Sequence, residues 1–258
     1  MINTFELEQR LEELRLKKER ECHKDFSVQY KDFILYSYWR ASCPYRVRLA
    51  LNLKEIPYTI KPINLLKKED YSEEYLKINS HGRLPVLEFT VIKTCRKIKT
   101  TVTSYVERLS ESTSILEFLE EAFPDKYPLY PAEKEKIIER NKIKALANHL
   151  ACNIHPIQNI HVLQKVGELG QDKLEWAKYF IYNGLESLEE ELKLTKGKYC
   201  WGDKVTFIDI YLIPQLYFFK RYDISIVEKF PVISEIAKNL SVIPAFIKAE
   251  PENQIDAC

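Results

Sequence analysis

Residues 33–63 read FILYSYWRASCPYRVRLALNLKEIPYTIKPI, and this stretch decides the fold. FILYSY at 33–38 is a short apolar and aromatic run of strand type, and a turn punctuated by Ser and Pro follows it at once. Pro44 suits a first helical turn, and Leu49, Ala50 and Leu53 form a buried stripe that runs on to Lys54. A second short strand spans 57–63. A helix crossing between two such strands makes a βαβ unit, so part of the first sheet is parallel.

Outward from this unit, residues 65–79 are polar with room for one short helix, RLPVLEFTV at 83–91 opens a third strand, and KTTVTSYVE at 99–107 makes a fourth. Ile115, Phe118, Leu119 and Ala122 then follow helical spacing. The order β-α-β, short α, β-β-α over 33–125 is that of an α/β thioredoxin-like domain. Over 131–250 strand signals vanish and helical periodicity takes over at 133–150, at 174–192 with Ile181, Leu185, Leu188 and Leu192 on one face, and at 206–219. The spacing therefore predicts an α/β domain followed by an all-α one. Upstream, residues 1–32 read as an amphipathic helical extension with Leu7, Leu11 and Leu14 on one face, too short a pattern for a coiled coil.

Composition sets the broad class. With 258 residues, 45% hydrophobic and 30% charged, the chain can bury a core without staples. Lys and Arg number 39 against 38 Asp and Glu, a net charge of +1, which argues against nucleic acid as a partner. The most apolar stretch, 205–219, is broken by Asp209, Pro214 and Gln215 and is not a membrane span. Six cysteines, at 22, 43, 95, 152, 200 and 258, show no CxxC pair and no metal-ligand spacing with the five histidines, so no metal is expected. Reduced thiols and a cytoplasmic location fit this pattern, as does a start rich in both Glu and Lys/Arg, unlike a secretory or transit signal.

LYSYWRASCPYRVRLALNLKEIPY at 35–58 closely resembles the opening of zeta-class glutathione transferases, the maleylacetoacetate isomerases, whose signature reads R-S-S-C followed by R-V-R. PINLLKKEDYSEEYLKIN with RLPVL, SESTSILEFLEE, NIHPIQNIHVLQKVG and WGDKVTFIDIYLIPQ agree in order and spacing, so the resemblance runs over about 34–246. It implies a thioredoxin-like glutathione-binding domain, a helical C-terminal domain, a homodimer and glutathione as cofactor. The implied reaction is glutathione-dependent cis–trans isomerisation of maleylacetoacetate to fumarylacetoacetate, a step of phenylalanine and tyrosine breakdown acting on a small dicarboxylate. Transferase side activity is implied with it.

Two regions fall outside the pattern. Residues 1–32 precede the family's start, and 90–108 is longer than its tight hairpin, with Lys93, Arg96, Lys97 and Lys99 clustered there. This arm is read as an extended, solvated hairpin or disordered loop, the alternative being a basic arm for a partner.

A helix whose first turn carries Ser42 and Cys43 aims free N–H groups and a positive dipole end at whatever sits above it, which favours a thiolate. The resemblance makes that thiolate glutathione's and puts Ser42 and Cys43 beside its sulfur. The first serine of the family motif is Ala41 here, so either Ser42 or the helix terminus alone activates the sulfur. Alternatively Cys43 is itself the nucleophile, because Cys43-Pro44-Tyr45 also resembles the CPY of glutaredoxins and the CPF of omega-class transferases.

By the same resemblance, Leu84 before a cis Pro85 pairs with the cysteinyl backbone, Glu111 and Ser112 hold the γ-glutamyl end, and Asp70 lies near the glycyl end, where an acid repels a carboxylate. His155 and Asn159 face the cleft, while His161 and Arg221 are implied contacts of the substrate. Thr206 and Asp209 form a capping box and are read as folding grammar. Three other readings stay open: a thiol transferase or dehydroascorbate reductase using Cys43, a detoxifying transferase without isomerase activity, and a non-catalytic transferase-like interaction module.

Overall fold

The computed structural model describes residues 4–21, 25–97, 99–221 and 224–257. A helix, α1 (Thr4–Glu21), precedes a four-stranded sheet of order β2-β1-β3-β4 made of β1 (Phe26–Ser37), β2 (Tyr58–Pro62), β3 (Val86–Cys95) and β4 (Thr100–Ser110). β1 and β2 are parallel, with Phe33 opposite Tyr58, and the α2 crossover (Ser42–Leu53) joins them. β1 with β3 and β3 with β4 are antiparallel. The short α3 (Glu73–Leu76) precedes β3, and α4 (Ser112–Ala122) follows β4.

The first strand begins seven residues before the position expected from sequence. Residues 26–31 pair with 90–95 of β3, and the register slips between Lys31 and Ile34, where Asp32 adopts φ 56°. Asp tolerates this left-handed conformation and the extra residues form a bulge. The boundary read at 32/33 is therefore a kink inside one strand, and residues 26–32 do not belong to a helical extension. The arm at 90–108 is an extended hairpin, one of the two forms read from sequence, and not a disordered loop. β3 and β4 stay paired as far as Cys95 opposite Thr100, with one register shift between Lys93 and Thr94, and β1 runs as a third strand along the arm. Loop length and charge could not reveal this, because the partner strand lies sixty residues upstream. α1 is helical, and its Leu11 and Leu14 are 59% and 52% exposed.

The expectation of uniformly reduced thiols is also corrected. Cys95 is disulfide-bonded, while Cys43, Cys152 and Cys200 are free. Sequence spacing exposes only local cysteine pairs, and a bridge between distant positions leaves no such trace.

Strand alternation divides the core. On one face Leu35, Leu87 and Phe89 pack under Leu49 and Leu51 of α2 and Ile115, Leu116 and Leu119 of α4. On the other, Tyr36, Val86, Ile63 and Tyr75 make a smaller cluster. α2 is buried all round because it is shared with the helical domain, whose α5 (Ile137–Asn148), α7 (Lys173–Thr195) and α8 (Phe207–Arg221) continue the same core. A buried ion pair, Lys54 Nζ to Glu120 Oε1 at 2.5 Å, fixes the linker. Lys54 also donates to the carbonyls of Lys126 and Tyr127, and Glu120 accepts from the Leu129 amide.

In the helical domain Asp172 caps α7 by accepting from the Leu174 and Glu175 amides. Buried Asp209 accepts from the Thr206 amide and hydroxyl and from the Cys200 amide, which makes the expected capping box a three-way anchor. α5 does not run straight to residue 150. It passes into a π-helical turn (His149–Ile154) and a 3₁₀ turn (His155–Gln158), and α6 (Ile160–Glu168) follows. Two short helices follow: α9 (Pro231–Ser241) packs on α7, and α10 (Pro244–Ala249) on α2, whose Arg48 and Asn52 donate to the Ala249 and Ala245 carbonyls. Among the described residues no helix is long and apolar enough to cross a membrane.

Candidate active site between the two domains

Two helix N-termini meet at the inter-domain cleft. α2 starts after Ala41, which offers no side-chain cap, so the Ser42 and Cys43 amides have no partner within the helix and Pro44 has no amide to give. α4 starts after Glu111, held at φ 65° and ψ 116°, again without a side-chain cap. That left-handed φ is strained for a residue with a Cβ, and it sits at the site end of the strand, where strain clusters in functional loops. Ser112, the first residue of α4, is buried.

A buried arginine ties the two termini together. Arg46, one turn along α2 from Cys43, places Nη1 3.3 Å from Ser112 Oγ and 3.9 Å from Cys43 Sγ. Its guanidinium carbon lies 4.4 Å from the Tyr211 ring centre, and the Tyr211 hydroxyl donates to Thr113 Oγ1 at 3.1 Å. From the helical domain the 3₁₀ turn brings His155 Nε2 to 3.5 Å from Cys43 Sγ. Burial, then the positive charge of Arg46, push the His155 pKa down to about 3, so this imidazole is neutral at working pH. Gln215 sits beside it and accepts from Gln158 Nε2 at 2.6 Å.

The remaining sequence-derived residues divide between the two ends of the cleft. Leu84 precedes β3, and its bond to Pro85 is cis. Asp70 is buried, with Oδ1 lacking a hydrogen-bond partner; burial raises its pKa and the nearby Arg83 opposes that rise. Arg83 donates to the Tyr71 hydroxyl at 2.5 Å and to the Gly82 carbonyl at 3.0 Å. His161, on α6, feels Arg83 as well, and burial and that charge both lower its pKa. Arg221, at the end of α8, instead acts with Arg40 on Tyr217. His161 and Arg221, grouped by sequence as substrate contacts, thus belong to different surroundings. Asn159 stands half-buried before α6 without capping it.

Sequence reasoning missed Arg46, Tyr211 and Gln215. For Arg46 a signal was present: an arginine at i+3 from Cys43 shares its helix face. Tyr211 and Gln215 lie in an apolar run and carry no local mark.

A parallel-plus-antiparallel α/β domain with a cis proline before its third strand, joined through a shared helix to an all-helical domain with the site between them, defines a two-domain glutathione transferase. Residues 42–122 match the glutathione S-transferase N-terminal domain and 160–244 the C-terminal domain. The chain is 37% identical over 231 residues to a probable maleylacetoacetate isomerase of Vibrio cholerae, covering 87% of this chain and 98% of that protein. It is 34% identical over 230 residues to a zeta-class glutathione S-transferase of Euphorbia esula, covering 86% and 92%. Among solved structures, the maleylacetoacetate isomerase of Anaeromyxobacter dehalogenans 2CP-1 with glutathione in its active site superposes with a TM-score of 0.75 at 33% identity, covering 90% of this chain and 99% of that one. The chain belongs to the zeta class of the glutathione S-transferase family.

Proposed function

We propose that this protein is a glutathione-dependent maleylacetoacetate isomerase, acting as a cytoplasmic homodimer on a small dicarboxylate. The observation that carries this reading is the convergence of two uncapped helix N-termini at Ser42–Cys43 and Ser112, with a buried cation between them. Free amides and positive charge at both ends suit a ligand that is anionic at its sulfur and at its γ-glutamyl carboxylate. Bound glutathione supplies the thiolate that adds reversibly to the cis double bond, and the remaining work falls to the protein.

Ser42 donates its hydroxyl to the sulfur, in the place left by Ala41. Cys43 fills the space beside it and is steadied by His155, whose neutral ring adds no competing charge. Ser112 and the start of α4 receive the γ-glutamyl carboxylate, Glu111 answers the ammonium, and the Leu84 backbone pairs with the cysteinyl portion. At the glycyl end Arg83 supplies the positive charge that Asp70 lacks, with Asn159 and His161 facing the same end from α6. Arg221, with Arg40 near it, meets a substrate carboxylate at the opposite mouth.

The purified protein incubated with maleylacetoacetate is expected to form the trans isomer only when glutathione is present. Dehydroascorbate reduction without isomerisation would replace this reading with thiol–disulfide exchange at Cys43.

A further inference from the structure

Arg46 is a charge in an unusual position. It is only 2% exposed, its Nε and Nη2 have no hydrogen-bond partner, and among the described residues it makes no ion pair. A buried guanidinium without a counter-ion is costly to the fold, since burial penalises charge unless something answers it. Glu117 of α4 is a carboxylate within electrostatic reach of the same Tyr211 ring, but it is bound to Lys144 at 2.9 Å and accepts from the Tyr130 hydroxyl. The single polar atom of Arg46 with partners, Nη1, points at Cys43 Sγ and Ser112 Oγ, in the first turns of the two helices.

We infer that Arg46 is a positioning residue of this site: its guanidinium, wedged under Ser112 and Cys43 and matched by no carboxylate, supplies a fixed positive charge that favours an anionic sulfur at the start of α2. The inference deepens the proposed function and rests on it. It also answers a question raised by Ala41. A motif that has lost one hydroxyl donor to the sulfur still holds the thiolate if a buried cation lies one hydrogen bond below. Arg46 does not touch the ligand, because its Nε and Nη2 are sealed from solvent; it acts through Ser112, through Cys43 and through its field, which is felt strongly in a desolvated cleft.

Three titratable groups lie against Arg46, Cys43 on α2, His155 on the 3₁₀ turn and Tyr211 on α8, and Glu117 of α4 acts on Tyr211. His155 is neutral well below neutral pH, and burial raises the Tyr211 pKa, so neither changes charge near neutrality. Glu117 is paired with Lys144 at 2.9 Å. A shift of the acidic limb in that range therefore reports a sulfur.

The test is the ultraviolet thiolate absorbance of the glutathione complex against its separate components, followed over pH for wild type and Arg46→Gln, with the kcat/KM profile for isomerisation measured alongside. The sulfur titration in Arg46→Gln is expected to move up by about one pH unit, the low end of the roughly 1 to 3 units an opposite charge within about 4–6 Å produces. At a fixed pH below the transition this is a loss of about tenfold in thiolate. Retained glutathione binding with an unmoved titration would overturn the role of Arg46 and leave the proposed function standing. Absence of any glutathione-linked thiolate signal in wild type would overturn both. If Arg46→Gln does not fold, Arg46→Lys decides: its ammonium lacks the fork and is drawn back from both contacts, so a partial upward shift supports the inference and a wild-type titration refutes it.

Discussion

Cys43 Sγ and His155 Nε2 lie 3.5 Å apart, so the first turn of α2 and the 3₁₀ turn before α6 touch across the domain boundary at the sulfur end of the cleft. The contact joins residues 112 positions apart. It depends on the π-helical turn at His149–Ile154, which redirects the chain after α5 toward the α/β domain. A straight continuation of α5 would carry the segment elsewhere.

If glutathione provides the reacting thiol, Cys43→Ser keeps a small polar neighbour and isomerisation persists at a reduced rate, whereas Ser42→Ala loses the one hydroxyl left in the turn and costs more, about 10²-fold in kcat. Steady-state kinetics on both variants check the order. The opposite ranking, with a mixed disulfide of Cys43 and glutathione seen by mass spectrometry, would assign the chemistry to the cysteine.

Ser112→Ala removes a hydrogen bond to a charged ligand group and is expected to weaken glutathione binding by about 1.5–3 kcal/mol, with the fold preserved. Calorimetry reads this directly. Unchanged affinity would move the γ-glutamyl end away from α4.

His155 makes stability depend on pH. Its pKa falls from 6.5 to about 3 on folding, so between these values the unfolded chain binds the proton and the folded one does not. The contribution of the neutral ring is complete above about pH 6.5 and is lost as pH falls toward about 3. His155→Gln should flatten the decline of denaturant-measured stability over that window while leaving glutathione affinity to report any functional role. Equal slopes for variant and wild type would show that His155 does not carry the acid sensitivity.

Asp209→Ala leaves three donors without an acceptor in the core and should cost about 3 kcal/mol, read as a lower denaturation midpoint. A loss below about 0.5 kcal/mol would mean that the Thr206 and Cys200 donors find other acceptors.

Replacing the tip of the β3–β4 arm by a tight turn removes the strand that residues 26–31 pair with and removes Cys95. A cost of about 1–3 kcal/mol is expected, seen as a Tm lower by several degrees, with glutathione affinity kept because the arm bears none of the site residues. A full-length Tm in the shortened protein would mean that the arm is a passive extension.

How much of this was legible from sequence depended on the range of each interaction. The apolar run FILYSY, the stripe of Leu49, Ala50 and Leu53, and the helical spacing of Ile181, Leu185, Leu188 and Leu192 are local patterns. Each fixes its element because one face must leave water. The Thr206–Asp209 box is likewise local, and the helix start at Ser42 and Cys43 is marked by Pro44, whereas the roles of Ser42, Cys43 and Ser112 toward glutathione came from the family resemblance. Tertiary structure decided what those marks meet. The continuation of β1 back to Phe26 needed β3 as a partner, the bond at Cys95 needed a second cysteine brought near by the fold, and the encounters of Cys43 with His155 and of Arg46 with Ser112 needed two helix starts and an irregular turn to arrive at one point. Arg46 reads in the chain as one more basic residue; burial without a counter-ion gives it meaning, and burial is a property of the packed molecule.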